Sequence, residues 1–337
     1  MKEAMFYKAG KENKIICELC NHHCHIKDGK RGVCGVRENR GGILYSLVYG
    51  RMIAENRDPI EKKPLFNFLP GSKAYSIATV GCNFHCLHCQ NYDISQYPHV
   101  HDGEISGTKR TAEAVVNEAE RTGCTSLCYT YVEPTIFYEF AYDCCNLAHK
   151  QRLKNVFVSN GYMTPEVTRH LAPLLDGINI DIKAFTDAFY KKVCKARLQP
   201  VLDNVKLMHE LGIWVEVTTL LIPGLNDSSE ELRDIARFIK SVSPTIPWHV
   251  TAFYPTYKMQ DREPTPVTTL RKAREIGLEE GLHYVYEGNV PGEGGENTYC
   301  PVCDTELIAR YGFSIRQNNL VDGCCKSCGQ QIKGVWS

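Results

Sequence analysis

Between residues 75 and 286, short runs rich in Val, Ile, Tyr and Thr alternate with longer stretches whose apolar positions recur every three or four residues. Short apolar runs between turn residues read as buried strands, and the 3.6-residue period reads as amphipathic helix, so the pattern predicts repeated βα units around a parallel sheet. Strands are predicted at residues 75–80, 126–130, 156–159, 178–182, 214–221 and 249–253, with the apolar run 284–286 as one more. The helix ends carry ordinary chemistry. Thr164 precedes Pro165 as N-cap and first residue, Ser228 and Glu231 form a capping box, Gly212 stops the run 201–211, and Gly281 ends the last pattern, 268–280. Six βα units in less than the roughly 250 residues of a closed eightfold barrel predict an incomplete (β/α)6 TIM-like barrel, open along one side. A doubly wound sheet is the alternative, but no GxGxxG follows the first strand.

Composition narrows the function classes. The 337 residues carry 39 basic and 39 acidic side chains, and zero net charge argues against a sequence-independent nucleic-acid binder. The start, MKEAMFYKAGKENK, has no apolar h-region, and nowhere do 18 apolar residues run together, so neither secretion nor membrane spanning is expected. A reducing cytoplasm is the expected compartment, and there close cysteine spacings point to metal or redox chemistry rather than to disulfides.

The 17 cysteines are unevenly placed. Cys17, Cys20, Cys24 and Cys34 lie near the start, Cys82, Cys86 and Cys89 follow the first predicted barrel strand, and Cys300, Cys303, Cys325 and Cys328 lie at the end. The remaining six lack ligand spacing. This distribution divides the chain into an N-terminal cysteine-rich module (1–70), a barrel (71–290) and a C-terminal module (291–337), the last joined by GNVPGEGG (288–295), which reads as a flexible connection.

The central group, C-x3-C-x2-C, stands where barrel enzymes place their active-site loops. Three thiolates with no fourth nearby suit a [4Fe-4S] cluster with one iron left open. A zinc site completed by His85 or His88 is the alternative reading.

The segment GCNFHCLHCQN resembles the signature of the radical S-adenosylmethionine (SAM) superfamily. The resemblance implies that SAM chelates the open iron and that the reduced cluster cleaves it to methionine and a 5'-deoxyadenosyl radical, which abstracts hydrogen from a substrate. His88 stands where the superfamily usually has an aromatic residue. Glu133 in YTYVEPT resembles the acidic residue that binds the SAM amino group; its structural alternative is a carboxylate at the N-terminus of the helix opened by Pro134. SNG and DIK match motifs of the pyruvate formate-lyase activating enzymes, which implies that Ser159, Asn160, Asp181 and Lys183 line the SAM methionyl and ribose groups. The same resemblance brings His249 near the ribose or adenine, with a core histidine as the other reading.

CELCNHHCHIKDGKRGVCGVREN, DPIEKKPLFNFLPGS, EVTTLLIPGLND, PWHVTAFYPTYKM and VYEGN extend the resemblance to the AmmeMemoRadiSam-system radical SAM enzymes, relatives of those activators. That kinship implies a Memo-like protein partner and an electron donor such as ferredoxin or flavodoxin; an activase would instead act on a glycine of a polypeptide substrate. The first cysteine group, C-x2-C-x3-C-x9-C, can close around structural zinc or a second iron–sulfur cluster, with His22, His23 and His25 as substitute ligands. The last group, two C-x2-C pairs, resembles a zinc ribbon, and its spacing favours Cys325 over Cys324. Lys62 and Lys63 read as part of a solvated linker, with a partner-facing role as the alternative, and Tyr131, Tyr254 and Tyr257 as packing residues, with guidance of a radical or hydrogen donation as theirs. A zinc-binding interaction protein and a ferredoxin-like carrier are the rival classes.

Overall fold

The computed structural model describes residues 1–337. Its central sheet begins with β1 (Ala54–Pro59) and continues through β2 (Lys73–Ala78), β3 (Ser126–Tyr129), β4 (Lys154–Ser159), β5 (Gly177–Asp181), β6 (Trp214–Leu221), β7 (Trp248–Ala252) and β8 (Val285–Gly288). Strands β2 to β8 run parallel, each beside its predecessor in sequence, and β1 pairs antiparallel with β2. The helices α1 (Ala112–Arg121), α2 (Tyr138–Lys150), α3 (Pro165–Leu171), α4 (Gln199–Glu210), α5 (Ser229–Val242) and α6 (Val267–Glu279) fall one in each crossover. Successive crossovers in one direction curl the sheet, and the result is the incomplete TIM-like barrel expected, one parallel strand larger than six because the run at 284–286 does join it.

The predicted strand positions hold because their residues are buried on both faces, as β3 and β7 are along their whole length. Strand β1 was not expected: AENRDP is too polar to read as a strand, yet it covers the edge that β2 would otherwise leave open. The helix caps are mixed. Ser228 Oγ accepts the Glu231 N–H at 3.2 Å, but the Glu231 carboxylate turns to the Phe185 N–H at 2.7 Å, so half of the expected box forms. Thr164 precedes α3, but its hydroxyl donates to the Glu18 carbonyl at 2.8 Å and makes no cap. Ser228→Ala should therefore cost about 1 kcal/mol, read as a lower urea midpoint with an unchanged m-value, whereas Thr164→Ala should loosen the N-terminal module instead.

One apolar cluster runs continuously from Ala4 through the barrel to Val285, so the N-terminal module and the barrel share a core. Their junction also holds an ion pair, Arg37 to Glu139 at 2.9 Å, with both side chains buried. The residues after β1 close the lower end of the barrel: Phe66 and Asn67 N–H groups donate to the Glu216 carboxylate, and Val335 of the C-terminus bonds Asn67. The C-terminal module is a sheet of β9 (Thr298–Tyr299), β10 (Glu306–Tyr311) and β11 (Ser314–Asn318) over a small core that includes Cys300, Leu307 and Cys325. Its connection is packed rather than loose, since Gly295 lies against the Glu287 side chain, where a Cβ would meet Cδ at 2.4 Å. No helix is long and apolar enough to cross a membrane.

Candidate radical site at the strand ends

The loop that follows β2 carries the central cysteines over the C-terminal rim of the barrel. Gly81, at φ +99°, permits this course: a Cβ there would lie 2.6 Å from Val36 Cγ1 and 2.9 Å from the Cys34 carbonyl oxygen, so no other residue fits between the loop and the N-terminal module. Beyond it, Cys82 Sγ accepts the Phe84 N–H at 3.4 Å, and Cys89 Sγ lies 3.3 Å from Ser95 Oγ.

A cleft of about 500 Å³ opens over these loops. Its wall holds Cys82, Cys86 and Cys89 together with Glu133, Ser159, Asn160, Asp181 and Lys183, so five of the six side chains expected at SAM meet the three cysteines in one place. The sixth does not. His249 is the second residue of β7, well before the strand's end, and its Nε2 donates to Glu216 at 2.6 Å while its ring packs on Phe66 at 4.8 Å. It is the core histidine of the alternative reading.

Hydrogen bonds fix the acidic residue. Glu133 Oε1 accepts from the Thr135 N–H and hydroxyl and from Ser159 Oγ at 2.9 Å, and Oε2 accepts the Asn160 N–H at 2.7 Å. The capping role at the turn Pro134–Phe137 is thus observed. Oε2, with one donor, keeps acceptor capacity for a ligand amine. Burial pushes the Glu133 carboxyl up, against the pull of the Thr135, Asn160 and Ser159 donors. Asn160 also donates from Nδ2 to Asn83 Oδ1 at 2.7 Å, which ties the loop after β4 to the cysteine loop. Lys183 pairs with Asp181 at 2.7 Å; burial opposes its charge, but Asp181 together with the Cys86 and Cys194 thiols outweighs burial and holds the ammonium above the usual lysine range.

The sequence reading missed several parts of the wall. Lys63 is 1% exposed, donates to Asp58 at 2.7 Å and lies 4.5 Å from the centre of the Tyr131 ring, so it belongs to a buried network and not to a solvated linker. Tyr131 has φ +64° and donates its hydroxyl to Asp58, a built position that abundance alone does not explain. Phe313, from the turn between β10 and β11, reaches the mouth of the cleft. DPIEKKP carries four charges in seven residues, and only the fold shows that Asp58, Glu61 and Lys63 turn inward.

The donor set suits a cluster. No three ligand atoms among Cys82, Cys86, Cys89, His85 and His88 lie within 4.8 Å of one another, as one zinc would require, and His85 Nδ1 is taken up by Gln96 Oε1 at 2.7 Å. Burial pushes the Cys82 thiol up, helped by the Glu133 charge, and burial also raises Cys89. Thiolates at Cys82 and Cys89 are costly here without a bound cation, whereas Cys194 pulls the Cys86 thiol down. His88 Nδ1 and Thr218 Oγ1, both on this wall, are buried without hydrogen-bond partners and remain free for a ligand. The C-terminal cysteines differ: Cys300, Cys303, Cys325 and Cys328 have sulfurs all within 4.8 Å of one another, with Cys300–Cys328 and Cys303–Cys325 each at 3.6 Å. The Cys303 thiol falls to about 6, chiefly through the Thr305 hydroxyl, while Cys328 rises to about 12 despite the Gln330 N–H because the neighbouring thiols keep its proton. Like charges so crowded are relieved by a cation.

The sequence profile described as the radical SAM superfamily matches residues 76–239, which include Cys82, Cys86, Cys89, Glu133, Ser159, Asn160, Asp181 and Lys183 of this cleft. The chain belongs to the radical SAM superfamily. An uncharacterized protein of Methanocaldococcus jannaschii is 48% identical over 98% of this chain and 99% of its own length. The pyruvate formate-lyase-activating enzyme of Clostridium pasteurianum is 23% identical over 61% of this chain and 89% of its own. Among solved structures, Streptococcus suis SuiB bound to S-adenosylmethionine shares the fold at a TM-score of 0.52, with 13% identity, covering 68% of this chain and 53% of that one. This radical SAM chain is therefore an enzyme whose cofactors are SAM and a [4Fe-4S] cluster, and whose C-terminal cysteines can bind metal. With both cofactors bound, an electron from the cluster cleaves SAM and yields the 5'-deoxyadenosyl radical that abstracts hydrogen from a substrate.

Proposed function

We propose that Cys82, Cys86 and Cys89 hold the [4Fe-4S] cluster and that Glu133, Ser159, Asn160, Asp181 and Lys183 form the SAM subsite. The observation that carries this reading is the convergence of all eight on one cleft. Glu133 Oε2 accepts the SAM amino group, Lys183 faces its carboxylate, and Asp181 both charges Lys183 and offers its second oxygen to the ribose. Ser159 and Asn160 act mainly through the loop: their side chains and backbone hold Glu133, and Asn160 anchors the cysteine loop through Asn83. Burial among Phe84, Val132 and Leu220 keeps water from the radical.

The three-part division at residues 70 and 290 fits this reading if residues 54–59 are counted with the barrel sheet they join. The C-terminal cysteines take zinc, for which thiolates near 3.6 Å apart are well spaced. Cys303→Ser should lower zinc by about one equivalent per chain while leaving iron unchanged, measured by elemental analysis of anaerobic protein. A cytoplasmic setting and a low-potential donor such as ferredoxin or flavodoxin complete the reading, since the cluster works only when reduced.

For the substrate, the kinship to activating enzymes supports a polypeptide whose glycine loses hydrogen, and the AmmeMemoRadiSam motifs support action beside a Memo-like protein. The reduced enzyme, mixed with SAM and a candidate partner of either kind, separates the two. A glycyl-radical EPR signal on the partner establishes the activase, and SAM consumption that rises with the Memo-like protein without that signal establishes the other.

A further inference from the structure

The geometry points to a second iron–sulfur cluster, ligated by Cys17, Cys20, Cys24 and Cys34, in the N-terminal module. All four line one closed pocket between that module and the barrel. Their spacing separates them from the C-terminal group. Zinc at about 2.3 Å from four thiolates holds the sulfurs a little under 4 Å apart and leaves no space at their centre. Here the sulfurs do not gather within 4.8 Å of one another as those of Cys300, Cys303, Cys325 and Cys328 do, although all four residues line the same pocket. Thiols that surround a space without meeting suit the eight-atom cube.

Two donors on the other walls of the pocket lack a partner. Arg37 Nε and Asn83 Nδ2 both belong to residues that line it, both are buried, and neither has a hydrogen-bond partner. A single zinc adds no acceptor beyond the four thiolates, whereas a cluster adds four sulfides to them, and hydrogen bonds to sulfur are among the devices that set cluster potentials. His22, placed between Cys20 and Cys24, is not a substitute ligand: its Nε2 donates to the Asn83 carbonyl at 2.7 Å.

The pocket also abuts the central cysteines. Asn83 lines it and directly follows Cys82, and Gly81 rests on the carbonyl of Cys34. The site is thus placed to take one electron from a low-potential protein donor and return to its oxidised state by passing that electron to the neighbouring cluster. The relay rests on the SAM reading above; the assignment of the metal rests on these cysteines alone.

The triple variant Cys82→Ala, Cys86→Ala, Cys89→Ala, reconstituted anaerobically with iron and sulfide, tests the site apart from the central cluster. The expected result is about four iron and four sulfide per chain, with a reduced-state EPR signal that does not change when SAM is added. Folded protein with no iron and a second equivalent of zinc overturns the proposal. Should the variant not fold, the unaltered chain decides: about eight iron per chain supports two clusters, and about four iron with two zinc excludes the second. In Cys20→Ala/Cys24→Ala the iron should fall by half while SAM still perturbs the remaining EPR signal; unchanged iron there also overturns it. Loss of the SAM response in unaltered protein of full iron content would instead count against the SAM subsite.

Discussion

Cys86→Ala should take the release of 5'-deoxyadenosine down to the level seen without protein and lower iron by about four per chain. The size of the effect follows from the ligand count. The cleft supplies three thiols for the cluster, and His85, bonded to Gln96 and outside the cleft wall, is not placed to replace one. Cys194 lies beside Cys86 and pulls its thiol down, but it is buried on the far side of the loop and does not line the cleft. The informative control is Cys324→Ser: Cys324 sits next to a ligand position but outside the C-terminal sulfur group, and its Sγ faces the Asp322 carbonyl, so both iron and product release should be unchanged. Elemental analysis and chromatography of the quenched reaction measure both quantities.

Glu139→Ala should be the most destabilising single change outside the metal sites, by about 3–5 kcal/mol, the usual cost of stranding one partner of a buried ion pair. Glu139 is wholly buried on α2 and accepts Arg37 Nη1 at 2.9 and 3.1 Å and the Met5 N–H at 2.7 Å. Burial works against the Arg37 charge, and Glu139 with the nearby thiols more than restores it, so without the carboxylate the guanidinium remains in the core stripped of its ion-pair partner. Double substitution with Arg37→Met should recover much of the loss, because an apolar pair of similar volume removes the stranded charge. Urea unfolding followed by circular dichroism measures both variants, and a loss under about 1 kcal/mol for Glu139→Ala would mean that the pair is not desolvated as described.

Much of this arrangement is legible in the residues because two strong local signals agree. The βα alternation places the strand ends, and C-x3-C-x2-C lies just after the first of them, so the cleft is specified by local order. What escapes is whatever depends on depth within the barrel or on pairing across long separations. His249 and Thr251 are both on β7, yet only Thr251 reaches the cleft, because the side chains of a strand that enters the barrel at Trp248 are still at its lower end one residue later. Lys63 is buried because Asp58, five residues earlier, turns inward from a strand too polar to be recognised. The metal preference of the first cysteine group is also a matter of distance. C-x2-C-x3-C-x9-C allows zinc or a cluster, and the proposal of a cluster rests on the folded arrangement of the sulfurs and on the unpartnered Arg37 Nε and Asn83 Nδ2, none of which the spacing gives.

The most direct test of the account is the anaerobically reconstituted protein incubated with SAM and a strong low-potential reductant. The account predicts methionine and 5'-deoxyadenosine in equal amounts, dependent on both reductant and iron. Protein that carries a full complement of iron and sulfide and binds SAM, yet releases no 5'-deoxyadenosine under reduction, would contradict it.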